Sequence, residues 1–441
     1  MSRAVRFGTD GIRGRAHDEV TTDVAYRLGW AVARVLGATL YVGYDTRESS
    51  PELAGAVLAG ARAGGVTAVN LGLFTTPGVA TIARQRAGAG IVVSASHNPY
   101  YDNGLKVLGV GGAKLDVATE EAITEALARA PHAEGPFEVV GVDESAEGDY
   151  LAFLRALVPA DLSGLTLVLD CANGAASHVA PALFASTGAT ITVLHNTPDG
   201  HNINEHCGST NVTDLVASVL REGADLGLAF DGDADRLIAV DHRGHVRDGD
   251  DLMVLFALDR AARGELGGGL VVTVMSNLGL RRALGAVGID VRETEVGDRN
   301  VMLALDDAAW RLGGEQSGHI IFADLASTGD GLLTGLMVAE LVARRGALFD
   351  QADAAWRREP QTLVNVPAAS FDAATVHALF DELIARYGVA SDEVRLLVRP
   401  SGTEPVVRVM IESTDARVVA EFTQRLHAHF NAPRGSVKSP E

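Results

Sequence analysis

Three aspartates stand at alternate positions, Asp231, Asp233 and Asp235, directly after the apolar run LGLAF. Carboxylates this close repel one another unless a divalent cation neutralises them, and oxygen-only ligands favour Mg²⁺. An EF-hand is excluded because its loop needs Gly at the sixth position and Glu at the twelfth, where this chain has Arg236 and His242. Solvated aspartates of a surface turn are the alternative, but the apolar run and the following arginine favour a buried magnesium site.

A second candidate site begins where the apolar run 91–93 gives way to small polar residues in IVVSASHNPYYDNGLK. Pro99 stops the chain from continuing as strand or helix, so Ser96 and His97 lie on a sharp turn with an exposed hydroxyl. Turns of this composition are also purely structural in many proteins. The polar residues that follow, and Lys106 above all, favour a site that contains a cation.

Three further loops carry groups suited either to sugar hydroxyls or to phosphate. Glu315, Ser317 and His319 lie between glycines in GGEQSGHI, where short polar side chains suit sugar hydroxyls, although such loop residues are often merely exposed. In LLVRPSGTEPVVRVM an arginine, two hydroxyls and a glycine make a phosphate nest before a strand with a second arginine. These residues are Arg399, Ser401, Gly402, Thr403 and Arg408. In FGTDGIRG, Arg13 could supply a guanidinium to phosphate. The alternative is that this glycine-containing segment is a plain turn.

These loops need strands to position them, because ligands of open α/β sheets bind beyond the carboxyl ends of the strands. Short β-branched or leucine-rich runs alternate with segments of helical period, which predicts strand–turn–helix units around parallel or mixed sheets. Strands are predicted at 39–43, 67–71, 91–93, 165–169, 189–194, 226–230 and 270–274, with helices at 51–63, 214–222 and 331–343. No strict repeat is visible, although the similar make-up of the units leaves room for an old duplication.

A chain of 441 residues is too long for one core, so several domains are expected. We predict an α/β fold of three similar α/β domains with mixed sheets and a smaller C-terminal α+β domain. Composition indicates linkers at 131–149 and 359–369 and a boundary near 247–251. The predicted domains are 1–150, 151–252, 253–364 and 365–441. The last one reads as helix, strand, strand and helix over 371–430, followed by a frayed tail over 431–441.

Charge and cysteine content exclude several classes of function. The formal net charge of −20 repels nucleic acid and anionic membrane, so an anionic substrate must meet local cations, backbone N–H groups or a metal. The two cysteines, Cys171 and Cys207, predict reduced thiols and a cytoplasmic protein rather than a disulfide framework. The amino terminus lacks the apolar core of a signal peptide, and no apolar run is long enough to cross a bilayer.

Five motifs in this order, FGTDGIRG, SASHNPYYDNGLK, DGDADR, GGEQSGH and RPSGTEPVVRVM, give the sequence a resemblance to the phosphoglucosamine mutases of the α-D-phosphohexomutase superfamily. The resemblance covers nearly the whole chain. GTDGIRG together with GEQSGH resembles the amino-sugar branch more than phosphomannomutase or phosphoglucomutase. It implies a heart-shaped arrangement of four domains around a central cleft.

The resemblance also implies roles for single residues. Ser96 becomes the phosphorylated serine, and one of its phosphate oxygens completes the ligands of a single Mg²⁺ held by the three aspartates. His97, Lys106, Arg13 and Arg236 would surround the transferring phosphoryl group, with Lys106 as an acid/base candidate. The sugar would be read by Glu315, Ser317 and His319, and by Asp298 and Arg299 of a VGDR segment. The phosphate that is not reacting would be held by Arg399, Ser401, Gly402 and Thr403.

The implied reaction interconverts glucosamine 6-phosphate and glucosamine 1-phosphate through glucosamine 1,6-bisphosphate, which also serves as activator, and feeds UDP-N-acetylglucosamine synthesis. The implied partner is a small phosphosugar, bound by a monomer or homodimer without nucleic acid or membrane. Two departures from the family pattern are Ala234, where glycine is common, and Asn300, where an aromatic is frequent. The first restricts the backbone angles of the metal loop, and the second bears on substrate preference.

Three alternatives stay open. Phosphomannomutase or phosphoglucomutase activity belongs to the same superfamily. An apolar strand followed by Asp-x-Asp also resembles haloacid-dehalogenase-type phosphatases, in which Asp231 would carry the phosphoryl group, but that leaves the Ser96 loop and the phosphate nest without a role. A non-catalytic binder of sugar phosphates would not need three carboxylates arranged to bind a metal.

Overall fold

The computed structural model describes residues 11–133, 135–139, 141–346, 348–400 and 405–430. The chain divides into two compact units, residues 1–273 with 292–351 and residues 274–291 with 352–441. The first unit contains three sheets, and the second contains a smaller antiparallel sheet. One strand of the third sheet, Asp290–Thr294, begins in the second unit and continues into the first. This is the predicted α/β fold, and none of the described helices is both long and apolar enough to cross a membrane.

The first sheet has five strands in the order β1–β5–β4–β2–β3. They are β1 (Ile12–Arg15), β2 (Leu40–Tyr44), β3 (Ala68–Leu73), β4 (Ala89–Val93) and β5 (Asp102–Leu108). The accompanying helices are α1 (Thr22–Leu36), α2 (Ser50–Ala63), α3 (Thr76–Gln85) and α4 (Val117–Arg129). Strand β2 runs parallel to β3 and β4, whereas β5 is antiparallel to β4 and β1. The β4–β5 connection is therefore a hairpin-like turn at the carboxyl end of a buried parallel strand.

The second sheet has the order β10–β9–β8–β6–β7. Its elements are α5 (Ser145–Leu157), β6 (Thr166–Asp170), α6 (Ala176–Ala185), β7 (Thr190–Leu194), α7 (Thr213–Glu222), β8 (Leu226–Phe230), β9 (Leu237–Asp241) and β10 (Val246–Arg247). Strands β7, β6 and β8 are parallel, and β9 returns antiparallel to β8. Every residue of β8 and β9 is buried, which explains why both strands lack an alternating polar pattern.

The third sheet has the order β12–β11–β13–β14. Its strands are β11 (Gly269–Thr273), β12 (Asp290–Thr294), β13 (Leu312–Gly314) and β14 (Ile320–Phe322). The helices of this stretch of chain are α8 (Gly249–Ala262), α9 (Leu278–Ala286), α10 (Asp298–Ala308), α11 (Gly331–Arg345) and α12 (Leu348–Ala355), of which α9 belongs to the second unit. Strand β13 is parallel to β11 and antiparallel to β14. The three sheets share one strand order. If the strands are numbered afresh from β2, β6 and β11, each sheet contains its first four strands in the order 2-1-3-4. That shared order supports the duplication that the sequence left open.

The second unit contains β15 (Gln361–Pro367), α13 (Ala373–Tyr387), β16 (Val394–Pro400), β17 (Val406–Ser413) and α14 (Ala416–Phe430). Its sheet is antiparallel in the order β15–β17–β16, and both helices pack on a core that includes Leu383 and Phe422. The separate segment 274–291 joins this unit through Glu412, whose Oε1 accepts hydrogen bonds from Nδ2 of Asn277 at 3.1 Å and from the amide of Leu278 at 3.2 Å.

The seven predicted strands and three predicted helices are all present, displaced at either end by at most two residues. The predicted linkers were partly wrong. Segment 359–369 contains strand β15, which tolerates Pro367 because it is an edge strand and ends there. Segment 131–149 runs into α5. The predicted boundary near 247–251 lies where β10 ends and α8 begins, and Asp248 and Asp251 form a capping box there. The predicted helix–strand–strand–helix order after residue 371 is present, and 431–441 lies outside the described residues.

The division into four domains at 150, 252 and 364 remains a prediction. Each of these positions falls inside an element, namely α5, α8 and β15. Because a boundary does not cut a helix or a strand, the limits of any such domains must lie at the ends of these elements.

Candidate active site

Ser96 lies in the connection between β4 and β5, in the left-handed backbone region with φ of 52°. The prediction of an exposed hydroxyl was wrong, because Ser96 is buried and its turn packs against the loop of the three aspartates. Its Oγ donates a hydrogen bond to Oδ2 of Asp231 at 2.5 Å, and Nδ1 of His97 lies 3.3 Å from the same Oγ. Its amide donates to Oγ of Ser94 at 3.0 Å, and Ser94 in turn donates to Asp45 at 2.6 Å. The predicted serine loop and metal loop therefore meet at Ser96, and Ser94 supports the backbone of the turn.

Arg47 holds the Ser96 loop in place and was missed by sequence reasoning. Its side chain is fully buried, and Nε donates to Oδ2 of Asp45 at 2.8 Å. Its two terminal nitrogens donate to four backbone carbonyls of the serine loop, those of Ser96, Asn98, Pro99 and Asp102. Asp45 directly follows the carboxyl end of β2 and Arg47 comes two residues later, so the rule that located the other loops could have found them.

The three aspartates lie in the turn between β8 and β9, and all are buried. Oδ1 of Asp231 accepts a hydrogen bond from the amide of Arg236 at 3.2 Å, while Oδ2 of Asp233 accepts one from the Thr76 hydroxyl at the start of α3. Ala234, the departure from the family pattern, is buried with φ of 59°. The loop thus has the left-handed conformation for which glycine is the favoured residue.

These carboxylates fit a divalent cation. Their ligand atoms all lie within 4.8 Å of one another. Among the described residues, Oδ1 of Asp233 and Oδ1 of Asp235 are buried and lack a hydrogen-bond partner. Burial, followed by the charges of Asp235 and Asp233, raises the pKa of Asp231 well above its ordinary value. A buried set of oxygen ligands with unsatisfied acceptors is suited to Mg²⁺.

Lys106, on β5, reaches the same aspartates. Its Nζ donates to Oδ2 of Asp233 at 2.5 Å and to Oδ2 of Asp235 at 3.1 Å. Burial opposes the charge of Lys106, but the two carboxylates outweigh it and raise the pKa of the lysine. For Asp235 burial likewise opposes the charge, and Lys106 and His319 outweigh it and lower its pKa. Lys106 therefore lies inside the site rather than at its edge.

Two arginines act on His97 through their charge. Burial, then the positive charges of Arg236 and Arg13, lower the pKa of His97 to about 4, so its imidazole is neutral near pH 7. For Arg236 burial opposes the charge, but Asp235 and Asp231 outweigh it and raise its pKa, with Nε 3.8 Å from Oδ1 of Asp235. Arg13 lies on β1, opposite Gly104 of β5, with an exposed side chain. The predicted positive surroundings of Ser96 are therefore brought together.

His319 lies behind the metal loop rather than on an exposed loop. It is 3% exposed, with Nδ1 3.7 Å from Oδ1 of Asp235 and Nε2 3.7 Å from Oδ2 of Asp298. Burial opposes its protonation, but the two carboxylates outweigh burial and raise its pKa. Lys114, also missed by sequence reasoning, lies with Nζ 2.6 Å from Oδ2 of Asp298. The VGDR segment and the GGEQSGH loop therefore reach the aspartates through one buried charge network.

The other residues of these two loops are held by local contacts. Oε1 of Glu315 accepts a hydrogen bond from the amide of Gly297 at 3.0 Å, and Ser317 donates to Oε2 of Glu315 at 3.3 Å. Nη1 of Arg299 donates to both carboxylate oxygens of Glu120, at the start of α4, at 2.9 and 2.8 Å. Glu315 and Ser317 are only partly buried, whereas the guanidinium of Arg299 is already engaged in an ion pair.

In the second unit, the predicted phosphate nest is described only in part, because Ser401, Gly402 and Thr403 lie outside the described residues. Arg399 on β16 stands directly opposite Arg408 on β17. Like charges in this cross-strand position destabilise a sheet unless an anion compensates them. The pair of arginines at the loop end of the hairpin is thus the feature expected of a phosphate-binding hairpin.

Comparisons with known proteins agree with this geometry. Models of the phosphoglucomutase/phosphomannomutase alpha/beta/alpha domains I, II and III match residues 4–134, 149–244 and 248–358, and the C-terminal domain matches 363–429. The chain is 45% identical to a phosphoglucosamine mutase of Desulforamulus reducens, covering 95% of this chain and 98% of that protein. It is 42% identical to phosphoglucosamine mutase 1 of a Shewanella species over 100% of both chains.

A solved structure shows the same fold. The phosphoglucomutase/phosphomannomutase family protein of Burkholderia thailandensis superposes with a TM-score of 0.78 at 26% identity and covers 100% of both chains. Family models, curated relatives and fold agree along nearly the whole length. The chain belongs to the phosphoglucosamine mutase branch of the phosphoglucomutase/phosphomannomutase family.

Proposed function

We propose that this enzyme interconverts glucosamine 6-phosphate and glucosamine 1-phosphate, with Ser96 as the phosphoryl carrier and glucosamine 1,6-bisphosphate as intermediate and activator. The names of the curated relatives support the amino-sugar substrate. The observation that carries the mechanism is the 2.5 Å contact between Oγ of Ser96 and Asp231, within a buried set of three aspartates. This contact supports Ser96 as the phosphoryl carrier, because its hydroxyl is hydrogen-bonded to one of the proposed metal ligands.

The reaction is two phosphoryl transfers. In the first, the bond between phosphorus and Oγ of phosphorylated Ser96 breaks and a bond to the free sugar hydroxyl oxygen forms. The hydroxyl proton leaves to a base, and Oγ of Ser96 takes up a proton. After the bisphosphate turns over, the same steps run in reverse at the other end of the sugar and restore phosphoserine. Such transfers depend mainly on in-line placement and on positive charge around the phosphoryl oxygens.

The chain's own residues supply both requirements. Asp231, Asp233 and Asp235, with a phosphoserine oxygen, would hold one Mg²⁺, which would supply charge stabilisation of the phosphoryl oxygens. Arg236 and Arg13 would add positive charge on the open side of Ser96. We propose two candidates for exchange of the hydroxyl proton: Lys106 first, held by Asp233 and Asp235, and then His97, whose imidazole is neutral and 3.3 Å from Oγ.

Other residues would bind the sugar and the non-reacting phosphate. We assign sugar recognition to Glu315 and Ser317, with His319, Asp298 and Arg299 as residues that position the same loops. The non-reacting phosphate would be bound by Arg399, Ser401, Gly402, Thr403 and Arg408. We further propose that the enzyme acts in the cytoplasm on a small phosphosugar, as a monomer or homodimer.

Ser96→Ala tests the phosphoryl carrier. We expect the variant to keep the wild-type fold by circular dichroism and to lose mutase turnover by at least about 10⁴-fold, because no hydroxyl remains to carry the group. Label transferred from ³²P-bisphosphate should remain on the wild-type protein in acid. Label removed by hydroxylamine would instead indicate an aspartyl phosphate on Asp231, and full activity of Ser96→Ala would end the proposal.

Substrate preference needs a separate measurement, since phosphomannomutase and phosphoglucomutase share the family. Comparing kcat/KM for glucosamine, glucose and mannose 6-phosphates measures differential transition-state binding directly. We expect the amino sugar to be preferred. Binding of glucosamine 6-phosphate without turnover, in the presence of Mg²⁺ and bisphosphate, would favour a non-catalytic binder.

A further inference from the structure

A second cluster of potential ligands lies in the sheet that carries the three aspartates. Asp170 ends β6, His195 directly follows β7, and Cys207 precedes a short 3₁₀ turn at Gly208–Thr210. One oxygen, one nitrogen and one sulfur atom from these side chains lie within 4.8 Å of one another. Asp170 and Cys207 are fully buried, and both cysteines of the chain are free thiols.

The contact between His195 and Asp170 is not an ordinary hydrogen bond. Nδ1 of His195 lies 3.1 Å from Oδ2 of Asp170, yet this buried nitrogen has no hydrogen-bond partner of acceptable geometry among the described residues. Two ligands of one tetrahedral ion, each about 2.0 Å from it, would be roughly 3.3 Å apart. The 3.1 Å between Nδ1 of His195 and Oδ2 of Asp170 is therefore close to the distance between two ligand atoms of one tetrahedral metal ion.

The groups around the cluster orient its members as outer partners of a metal site do. Nε2 of His195, the nitrogen that points away, lies 3.2 Å from Oδ2 of Asp214. The Asp170 carboxylate accepts hydrogen bonds from the amides of Ala172 at 2.9 Å and Gly208 at 3.0 Å. A carboxylate on the outer nitrogen of a ligating histidine fixes its tautomer and raises its basicity. Nδ1 is thereby left to face Asp170 and Cys207.

We propose that Asp170, His195 and Cys207 bind a divalent transition-metal ion of the Zn²⁺ class, with a fourth position open to water. The set of thiolate, imidazole and carboxylate ligands is borderline-soft and suits Zn²⁺, whereas the oxygen-only ligands of the three aspartates suit Mg²⁺. The chain would then carry two cation sites of different chemistry at the carboxyl ends of neighbouring strands, β6 and β8.

The position of this site connects it to the serine loop. His195 and Cys207 stand at the two ends of loop 196–206, so one ion bound to both closes that loop. Within the loop, Nδ2 of Asn204 donates to the carbonyls of Ser96 at 2.9 Å and Asn98 at 3.2 Å. Metal binding would therefore restrain the segment that holds the phosphoserine turn. Binding of the ion is independent of the proposed mutase reaction, whereas its effect on turnover rests on that proposal.

Cobalt provides the direct test, because Co²⁺ replaces Zn²⁺ and a thiolate ligand gives it a charge-transfer band in the near ultraviolet. Full-length protein stripped with EDTA should develop this band with one equivalent of Co²⁺ and lose it on addition of Zn²⁺. Cys207→Ser should abolish the band. Cys171→Ser, which removes the neighbouring buried thiol outside the cluster, should retain it. Co²⁺ at the three aspartates gives no such band, so the two sites are distinguished.

Asp214→Asn keeps the proposal testable if substitution of Cys207 disturbs folding, because the Asp214 side chain is 62% exposed. Removing the outer carboxylate should weaken Co²⁺ binding by about 10-fold or more. Zn²⁺ should slow hydrogen exchange over residues 196–206 in the wild type more than in this variant. No thiolate band in the wild type, a band that persists in Cys207→Ser, or unchanged affinity in Asp214→Asn would each overturn the proposal.

Discussion

Arg47 combines complete burial with a full set of hydrogen bonds. Asp45 balances its charge, and its guanidinium satisfies four carbonyls of a turn whose central residue, Ser96, has a left-handed backbone. A residue in that region costs about 1–3 kcal/mol and persists only where its surroundings determine it. We infer that Arg47 positions the phosphoserine without contacting the reacting atoms.

Arg47→Lys should separate positioning from charge. Lysine keeps the charge beside Asp45 but cannot reproduce the fork of donors, so several carbonyls lose their partners. We expect kcat to fall about 100-fold, which is the effect of misplacing a reacting group by about 1 Å. We also expect the free energy of unfolding, measured in urea, to fall by about 2 kcal/mol. Arg62→Lys is the control, since Arg62 is exposed and, within the described part of the chain, hydrogen-bonds the Ala68 carbonyl alone, at 3.4 Å. Wild-type kcat in Arg47→Lys would contradict the inference.

Asp330 gives a prediction about pH and stability. It caps α11 by accepting a hydrogen bond from the amide of Leu333, and Tyr150 donates to it at 2.8 Å. Burial raises the pKa of Asp330 to about 6 despite these bonds. Because the folded-state pKa is raised, its contribution to stability is complete below about pH 4 and is lost as the pH rises through 6.

Asp330→Asn removes this titration while keeping a side chain that caps helices well. Relative to the wild type, the variant should gain up to about 3 kcal/mol of unfolding free energy between pH 4 and pH 7.5. Urea unfolding of both proteins across that range measures the difference, in which the titrations common to both cancel. A difference that is constant with pH would show that Asp330 is not perturbed.

At the scale of elements, the candidate residues share one topological position. Three of the loops occupy the same place in their sheets, between the third and fourth strands of the shared 2-1-3-4 order. They are the Ser96 loop between β4 and β5, the Asp231 loop between β8 and β9, and the Glu315 loop between β13 and β14. The RPSGTEP loop connects β16 and β17. Sequence reasoning identified these four loops because apolar strands end there. It could not show that the three loops of the α/β sheets are equivalent, since the sequences of these sheets show no strict repeat. Only their common strand order relates the three loops.

Two ion pairs, Glu120 with Arg299 and Lys114 with Asp298, link α4 and its preceding loop to the start of α10. Reversing the charges of the first pair tests whether it holds the VGDR segment in place. Glu120→Arg should destabilise the protein by about 1–3 kcal/mol, because it places two arginines together in a partly buried contact. Adding Arg299→Glu exchanges the charges and should recover at least half of that loss. A double-mutant cycle of urea unfolding gives the coupling, with the exposed pair Arg129 and Glu125 as control. Simple additivity would contradict the structural role of the pair.

At the scale of the molecule, a chain with a net charge of −20 must still attract an anionic substrate. The structure of the first unit does so by surrounding buried carboxylates with Lys106, Arg236 and Arg13, whose charges all act on the same few groups. The three buried aspartates also repel one another, so the cluster should gain stability from a bound cation. The global charge argues against nucleic-acid partners, whereas only the local geometry brings positive groups together around Ser96.

Mg²⁺ should therefore stabilise the whole first unit. With Mg²⁺ at about 100 times its Kd we expect about 2.7 kcal/mol of added unfolding free energy, visible as a rise in Tm that EDTA reverses. Asp233→Asn should lose most of this rise while remaining folded. Asp259→Asn is a matched control, because Asp259 is a buried aspartate paired with Arg344 and Arg345, remote in role from the site. An equal rise in Asp233→Asn and the wild type would exclude the aspartate cluster as the binding site.

The sequence alone determined the strands, the α/β class and the loops that carry Ser96, the three aspartates and Glu315, because these depend on local periodicity and on residue types that follow a strand. Tertiary structure decided which loops meet. Arg47, Lys114 and Asn204 reach the site from segments distant in sequence, and His319 is buried by neighbours that its own Gly-rich loop does not reveal. The physical reason is that burial, pKa and hydrogen-bond partners depend on contacts between distant segments, which no local pattern encodes.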